Sequence, residues 1–151
     1  MRIVIQRVNS ASVSVSGEVI GQISKGCVVL HGIQEGDTQE DQDYILRKLL
    51  ALRIFSDSNG KMNLSIQDIE GEILIVSQFT LYADTKKGNR PSFTRAENPI
   101  RAEKIYKNFV KELSTKLIGK VSTGIFAADM QVSLQNDGPV TVIIDSREKN
   151  F

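Results

Sequence analysis

The segment SQFTLY, residues 77–82, places two aliphatic hydroxyls and an amide at the end of the apolar run EILIV. The hydroxyls belong to Ser77 and Thr80, and the amide belongs to Gln78. Binding and catalytic groups are often found where a strand passes into a loop. Donor groups of this kind can stabilise a developing negative charge, whereas a hydroxyl nucleophile needs a neighbouring general base, which this segment lacks. The pattern predicts either such a site or a strand that simply ends in a polar loop.

A second unusual segment, NDGPVT at residues 136–141, lies between the strand-like stretches MQVSLQ and VTVIID. Pro139 has no N–H to give to a sheet, and Gly138 can adopt dihedral angles that are closed to other residues. An X–Pro bond can also be cis. On this local pattern we predict a hairpin turn between two strands, with a role in a site as the alternative.

The single histidine and the single cysteine exclude several classes of chemistry. His31 lies in the strand-like run VVLHGI, without Cys, Asp or Glu at metal-ligand spacing, so no metal site is predicted. We expect it to be a structural histidine with satisfied hydrogen bonds rather than a member of a Ser-His-Asp triad. Cys27, in CVVL, is predicted to be a small buried hydrophobe. The sequence also contains no glycine-rich phosphate loop or dinucleotide fingerprint.

Positive charge is concentrated in one region. The whole chain has 19 Lys and Arg against 18 Asp and Glu, so its net charge of +1 gives no general attraction to nucleic acid or membranes. Between residues 84 and 111, however, eight cations face three anions. This cluster either follows a phosphate backbone or forms a solvated helix face beside a basic loop. The cations are Lys86, Lys87, Arg90, Arg95, Arg101, Lys104, Lys107 and Lys111.

Two helices are expected among the elements that position these groups. Thr38 and Asp41 have capping-box spacing, and apolar residues continue at helical intervals, which predicts a helix over 38–52. Asn98 as N-cap and Pro99 at the first helical position predict a second helix, which ends at Gly119.

Short strands account for most of the rest of the chain. The first four, in quick succession, favour an antiparallel meander. A turn at DSNGK should separate the strands RIFSD and EILIVSQFTLY. We therefore predict an α+β fold: a single domain, residues 1–151, of mostly antiparallel, barrel-like sheet with two main helices. The expected strands are 2–8, 11–15, 18–24, 27–33, RIFSD, EILIVSQFTLY, 121–126, 129–135 and 139–145.

Length and composition agree with one ordinary domain. A chain of 151 residues can bury roughly 70% of its unfolded surface. No segment approaches the ~20 apolar residues of a membrane span, and the N-terminus lacks the apolar core of a signal peptide. We therefore expect a cytoplasmic protein without a membrane partner.

The two motifs together resemble the signatures of the D-aminoacyl-tRNA deacylase family, also called the D-tyrosyl-tRNA(Tyr) deacylase family. SQFTLY matches its SQFTL-type motif, and NDGPVT matches its N-x-(G)-P-(V/T) motif. The stretches MRIVIQRVNSASV, KKGNRPSF and TGIFAADMQVSLQNDGPVT also look like this family, so the resemblance covers nearly the whole chain. It implies a homodimer of α+β subunits that hydrolyses the ester between a D-amino acid, and also glycine, and the terminal ribose of tRNA, without a cofactor.

The resemblance also implies roles for individual residues. The Gly138–Pro139 bond would be cis, and the dipeptide, with Asn136, would enter the partner's active site and leave no room for an L side chain. Ser77, Gln78, Phe79 and Thr80 would form the catalytic segment. Arg7 and Met130 would support the dipeptide, and Phe79 and Phe126 would flank the terminal adenosine. A separate hypothesis comes from the positive cluster: if it follows tRNA phosphates, Lys86, Lys87 and Arg90 contact the tRNA backbone.

Two questions stay open at the level of sequence. The nucleophile is either a water helped by the ribose 2′-OH, with backbone N–H groups near Phe79 and Thr80 as the oxyanion hole, or the Thr80 hydroxyl. We favour the water. The second question is whether the protein is instead a non-catalytic nucleic-acid-binding module, acting for instance on DNA, that uses the basic loop and helix of residues 86–111.

Overall fold

The long N-terminal strand organises the sheet. In the computed structural model, which describes residues 1–149, the strands are β1 (Arg2–Val15), β2 (Glu18–Ile23), β3 (Gly26–Gly32), β4 (Phe55–Ser56), β5 (Met62–Leu64), β6 (Glu72–Ser77), β7 (Val121–Thr123) and β8 (Gln131–Asp145). β1 pairs along one edge with β8. Along its other edge, the first half of β1 pairs with β3 and the second half with β2, all antiparallel. β6 and β7 continue the sheet from β3 as parallel strands, and β4 and β5 form a separate hairpin.

The sheet curls until β2 and β7 approach each other. The Ser122 hydroxyl donates a hydrogen bond of 3.0 Å to the carbonyl of Gln22. Gly21 permits this approach, because a Cβ atom at that position would lie 2.6 Å from the carbonyl oxygen of Thr123. The predicted barrel-like α+β architecture is therefore confirmed.

Period-two alternation distributes the apolar side chains between two clusters. One face of the strands, including Ile5, Val29 and Ile75, packs against the helices α1 (Gln39–Ala51) and α2 (Pro99–Lys116). The opposite face, including Val28 and Leu74, fills the interior of the curled sheet. This double burial explains why EILIV reads as a continuous apolar run. Cys27 is buried, and burial raises the pKa of its thiol to about 12, as expected for an inert apolar filler.

Both predicted helices are confirmed. Asp41 accepts hydrogen bonds from the Thr38 N–H (2.8 Å) and hydroxyl (3.0 Å), and α1 begins one residue after Thr38. Asn98 caps α2 by accepting from the Arg101 N–H at 3.0 Å, and α2 ends at Lys116, three residues before the predicted glycine. No helix within residues 1–149 is long and apolar enough to cross a membrane.

The prediction of a hairpin turn at NDGPVT was wrong. Both flanking stretches belong to the single strand β8, which keeps one direction beside β1: Gln135 pairs with Ser10, and Val142 pairs with Ile5. Between these pairs the register shifts, so that residues 137–140 bulge opposite Arg7. The bulge needs no change of direction because β1 is long enough to pair on both sides of it.

Three other strand predictions also need correction. Segments 2–8 and 11–15 form one strand, and β1 separates β2 from β3, so the first strands are not a simple meander. The strand expected over 72–82 ends at Ser77, and a 3-10 helix (Phe79–Tyr82) follows it. The partner of Phe55–Ser56 across the DSNGK turn is the short strand Met62–Leu64 rather than β6.

Candidate active site

A pocket of about 620 Å³ opens where β6 ends, between the start of α2 and the loop that precedes β8. Ser77, Gln78 and Phe79 line it from the predicted catalytic segment. Phe126 and Met130 line it from the loop before β8. The structure thus brings together five predicted site residues that lie up to 53 positions apart in the sequence.

The strand-to-helix turn at Gln78 leaves backbone donors at the pocket. The Gln78 N–H donates to the His31 carbonyl at 2.8 Å, which anchors the turn to β3. The first bond of the 3-10 helix runs from the Leu81 N–H to the Gln78 carbonyl, at 3.3 Å. The N–H groups of Phe79 and Thr80 precede this bond, and the first N–H groups of a helix have no intrahelical acceptor. The N–H of Phe79, which lines the pocket, is therefore available to a bound oxyanion, and the N–H of Thr80 follows it directly in the chain.

The Thr80 side chain is poorly suited to nucleophilic attack. It is exposed and does not line the pocket. Its hydroxyl oxygen accepts a hydrogen bond of 2.6 Å from the Gln78 amide. An activated hydroxyl nucleophile needs an adjacent base to take its proton, and an amide cannot do so.

His31 differs from the satisfied structural histidine that was predicted. The side chain is buried, stacks on Phe109 with ring centroids 4.5 Å apart, and lines the pocket. Within residues 1–149, neither ring nitrogen has a hydrogen-bond partner. Burial, together with the nearby N-terminal ammonium, lowers the pKa of His31 to about 3. The imidazole is therefore neutral at physiological pH and forms no dyad with Ser77 or Thr80.

Aromatic rings stand at the mouth and side of the pocket. Phe79 is 57% exposed and meets the ring of Phe93 edge-on, with centroids 5.0 Å apart at an interplanar angle of 72°. Phe126 packs on Tyr106 at 5.7 Å. Exposed or half-exposed rings can stack on an unpaired base. Sequence reasoning missed Phe93, although it lies within the stretch KKGNRPSF that carries part of the family resemblance.

Two carboxylates that sequence reasoning also missed line the pocket. Glu97 is buried and fully engaged: it accepts from Arg101 at 2.7 Å and from the Asn98 backbone N–H at 2.9 Å. Asp129 lies on the exposed loop before β8. No pattern in the sequence distinguished either of them from surface carboxylates.

A second constellation forms around the bulge in β8. The guanidinium of Arg7 donates to the carbonyl of Asp137 at 3.2 Å, pairs with its carboxylate at 3.0 Å, and also binds the carbonyl of Ile54 at 2.6 Å. Gly138 has φ +118° and is joined to Pro139 by a cis bond. A Cβ atom on Gly138 would lie 2.9 Å from Arg7 Nη2. Arg7 therefore braces the segment that presents the dipeptide.

The two constellations do not meet within one chain. Among the described residues, the pocket lining includes none of Arg7, Asn136, Gly138 or Pro139. The dipeptide is exposed, and the Asn136 side-chain oxygen is buried without a partner in residues 1–149. Met130 lies with the pocket, where its sulfur is close to Gly124, rather than with the dipeptide of its own chain.

The cationic cluster divides into a loop part and a helix part. Lys86, Lys87 and Arg90 are exposed, and none of the three forms an ion pair within residues 1–149. On α2, by contrast, Lys107 pairs with Glu103 at 2.7 Å and Arg101 pairs with Glu97. Lys104 and Lys111 on α2 form no ion pair within residues 1–149 either, so uncompensated charge lies on the helix as well as on the loop. The described residues contain no group of three or more His, Cys, Asp or Glu side chains that could hold a metal.

Comparison with known proteins identifies a single family. Residues 4–145 match the family model described as D-Tyr-tRNA(Tyr) deacylase. Proteins named D-aminoacyl-tRNA deacylase are similar to this chain over 149 residues and 99% of each chain: that of Flavobacterium psychrophilum is 55% identical, and that of Akkermansia muciniphila is 54% identical.

Two solved structures are also similar. The c-Myc DNA Unwinding Element Binding Protein superposes with a TM-score of 0.89 at 44% identity, covering 96% of this chain and 98% of that one. A probable eukaryotic D-amino acid tRNA deacylase superposes with a TM-score of 0.78 at 18% identity, covering 95% and 98%. At that identity the second likeness supports the fold alone.

Proposed function

Because the chain belongs to the D-Tyr-tRNA(Tyr) deacylase family, we propose that it hydrolyses the ester between a D-amino acid and the 3′-terminal ribose of tRNA. One observation carries the proposal: a backbone N–H without an intrahelical acceptor, that of Phe79, shares one pocket with aromatic rings. The N–H suits an ester carbonyl, and the rings suit an unpaired terminal base. Since aminoacyl-tRNA is used in the cytoplasm, we place the reaction there.

The nucleophile in this proposal is a water activated by the substrate's own 2′-OH. Water adds to the carbonyl carbon, and the N–H groups of Phe79 and Thr80 stabilise the oxyanion. The bond to the ribose 3′ oxygen then breaks as that oxygen takes the proton that the water gave up, passed on through the 2′-OH. Two features support this route: the Thr80 hydroxyl is engaged by the Gln78 amide, and His31, with a pKa of about 3, is too weak a base to activate a hydroxyl or a water efficiently.

The chirality of the substrate would be read by the Gly138–Pro139 dipeptide of a partner subunit. Its backbone carbonyls would face the α-carbon and leave no room for an L side chain, which rejects the wrong substrate by steric clash. Glycine has no side chain to clash, so glycyl-tRNA would also be cleaved. The proposal is supported by the exposure of the dipeptide, by its absence from the pocket of its own chain, and by the brace that Arg7 provides.

A homodimer with two-fold symmetry would supply each pocket with the partner's dipeptide. β8 suits such an interface. Within residues 1–149 this strand pairs only with β1, and it exposes the apolar side chains of Leu134 and Ile143. An unpaired strand edge with exposed apolar residues is a surface that folded proteins usually cover.

A non-catalytic nucleic-acid-binding function is the second candidate. It is favoured by the likeness to a protein named for binding a DNA unwinding element, and by the three loop cations that form no ion pair within residues 1–149. Both functions would use the loop to contact phosphates, so charge alone does not separate them.

Release of amino acid from D- and L-aminoacyl-tRNA separates the two functions. We expect turnover of the D form and of glycyl-tRNA, with the L form left intact. Turnover of the D form excludes a pure binder. If neither form is cleaved while DNA or RNA is still bound, the enzymatic proposal fails.

A further inference from the structure

Phe93 connects two parts of the molecule that the sequence treats as separate: the basic loop, defined as residues 84–92, and the mouth of the pocket. It follows the loop directly in the chain, and its half-buried ring lines the pocket. No residue in the predicted catalytic, selective or phosphate-binding sets has this double position.

The basic loop is closed and anchored at its base. Asp84 and Ser92 exchange backbone hydrogen bonds of 2.7 and 2.9 Å. The Lys86 N–H donates to the Asp84 carboxylate at 2.9 Å, which folds the loop back on itself. At the tip, Gly88 has φ +85° and the neighbouring cations point to solvent. The tip is therefore connected to Phe93 through the closing pair at the base of the loop.

Phe93 is also held on its far side. Its carbonyl accepts from the Ala96 N–H at 3.0 Å, and the Glu35 N–H donates to the Arg95 carbonyl at 3.0 Å. The backbone at Phe93 is thus held between the loop and the chain after β3. Phe79, by contrast, is 57% exposed, and its edge-on contact with Phe93 is the ring contact that orients it.

We propose that Phe93 is a positioning residue that makes the basic loop and the pocket mouth one binding unit, so that phosphate contact at the loop tip strengthens binding of the terminal nucleoside between the aromatic rings. This inference rests on the proposed function, because it takes the substrate to be an aminoacyl-tRNA with both a phosphate backbone and a terminal base.

A double-mutant cycle tests the coupling. Phe93→Leu removes the ring but keeps an apolar side chain, and the combination Lys86→Ala, Lys87→Ala, Arg90→Ala removes the tip charges. On D-aminoacyl-tRNA we expect Phe93→Leu to raise KM about 2- to 10-fold, the range of one lost aromatic pair, with kcat kept. We also expect the combined variant to be less impaired than the product of the two separate effects. Mutations at sites that do not interact normally change KM by factors that multiply. If the KM change of the combined variant equals the product of the two separate changes within error, the proposal is overturned.

Controls separate this coupling from other effects. On D-aminoacyl-adenosine, which lacks the backbone phosphates, the cycle should show no coupling. Removing the same number of charges from α2, with Lys104→Ala, Lys107→Ala, Lys111→Ala, should give effects that multiply with Phe93→Leu. Phe93→Tyr keeps the ring and should therefore have the wild-type KM. A melting curve of each variant identifies any variant that fails to fold.

The same cycle is repeated with the Kd of each variant for tRNA that carries no amino acid, so the test does not depend on turnover. If the wild type cleaves D-aminoacyl-tRNA but the effects on KM and Kd multiply, only the role of Phe93 is wrong. If the wild type cleaves no aminoacyl-tRNA, the proposed function is wrong, and the Kd values alone decide whether loop and pocket are coupled.

Discussion

At the scale of single residues, Thr80 separates the two mechanisms. Its hydroxyl accepts a hydrogen bond from Gln78 and lies outside the pocket lining. Thr80→Ala should therefore keep measurable hydrolysis, and wild-type enzyme should cleave a substrate ending in 2′-deoxyadenosine about 100-fold more slowly or worse, the usual cost of losing a general acid–base group. Single-turnover rates on both substrates check this. If Thr80 were the nucleophile, Thr80→Ala would be inactive, Thr80→Ser would rescue it, and the deoxy substrate would react normally.

Gly138 is a position that only glycine suits. Its φ is +118°, and a Cβ atom would lie 2.9 Å from the guanidinium of Arg7. Gly138→Ala should displace the dipeptide, so we expect at least a tenfold loss of D-form cleavage or the appearance of L-form cleavage. Gly17→Ala is the matched control, because Gly17 also has positive φ (+85°) but a Cβ atom there would have no neighbouring atom within 4 Å. Cleavage assays in which both variants keep the wild-type rate and D preference would contradict the proposed filter.

His31 should make stability depend on pH. Its pKa is about 3 in the folded protein and 6.5 in the unfolded chain, so between these values the unfolded state binds more protons. The free energy of unfolding should therefore fall as pH decreases from 6.5 towards 3, by up to about 1.4 kcal/mol per pH unit from this group. Denaturant titrations of wild type and His31→Leu should show a shallower decline in the variant. Parallel declines would mean that His31 is not buried in its neutral form.

At the scale of elements, the start of α2 matters because it forms one side of the pocket. The Asn98 side chain accepts from the Arg101 N–H at 3.0 Å. Asn98→Ala should lower stability by about 1 kcal/mol, the usual cost of a lost N-cap, and the melting temperature by about 2–4 °C. Asn98→Ser should keep the cap and, unlike Asp, places no second carboxylate beside Glu97, which accepts from the Asn98 amide at 2.9 Å. Asn108→Ala, in the exposed middle of the same helix, should cost less, and calorimetry that ranks the two alanine variants in the opposite order would contradict the capping role.

Element prediction succeeded where local chemistry decides the conformation. Thr38 with Asp41, and Asn98 with Pro99, specify helix starts through contacts within one turn. It failed at residues 78–82, where hydroxyls and aromatic rings gave a strand-like pattern but the chain turns into a 3-10 helix. The Gln78 N–H bond to the His31 carbonyl, 47 positions away in the chain, sets that turn.

At the scale of the whole molecule, we expect the active species to be a homodimer, since the pocket and the dipeptide do not meet in one chain. Leu134→Lys, on the exposed face of β8, should weaken association and make activity per subunit fall on dilution. Ile118→Lys is the control, because Ile118 is 66% exposed after α2. Sedimentation coupled to activity assays checks this, and a fully active monomer would disprove the cross-subunit role of the dipeptide.

The sequence by itself determined the strand alternation, the two helices and their caps, and the two motifs that identify the family. These properties depend on neighbours within a few positions, which the sequence displays directly. Tertiary structure alone decided that NDGPVT lies in one continuous strand, because the uninterrupted partner is β1, more than 120 residues earlier. It also decided that Phe93 meets Phe79 and that, within residues 1–149, His31 has no hydrogen-bond partner beside the pocket and the dipeptide lies apart from the pocket. Each of these depends on contacts between distant segments, which are set by how the sheet curls and packs rather than by any local pattern.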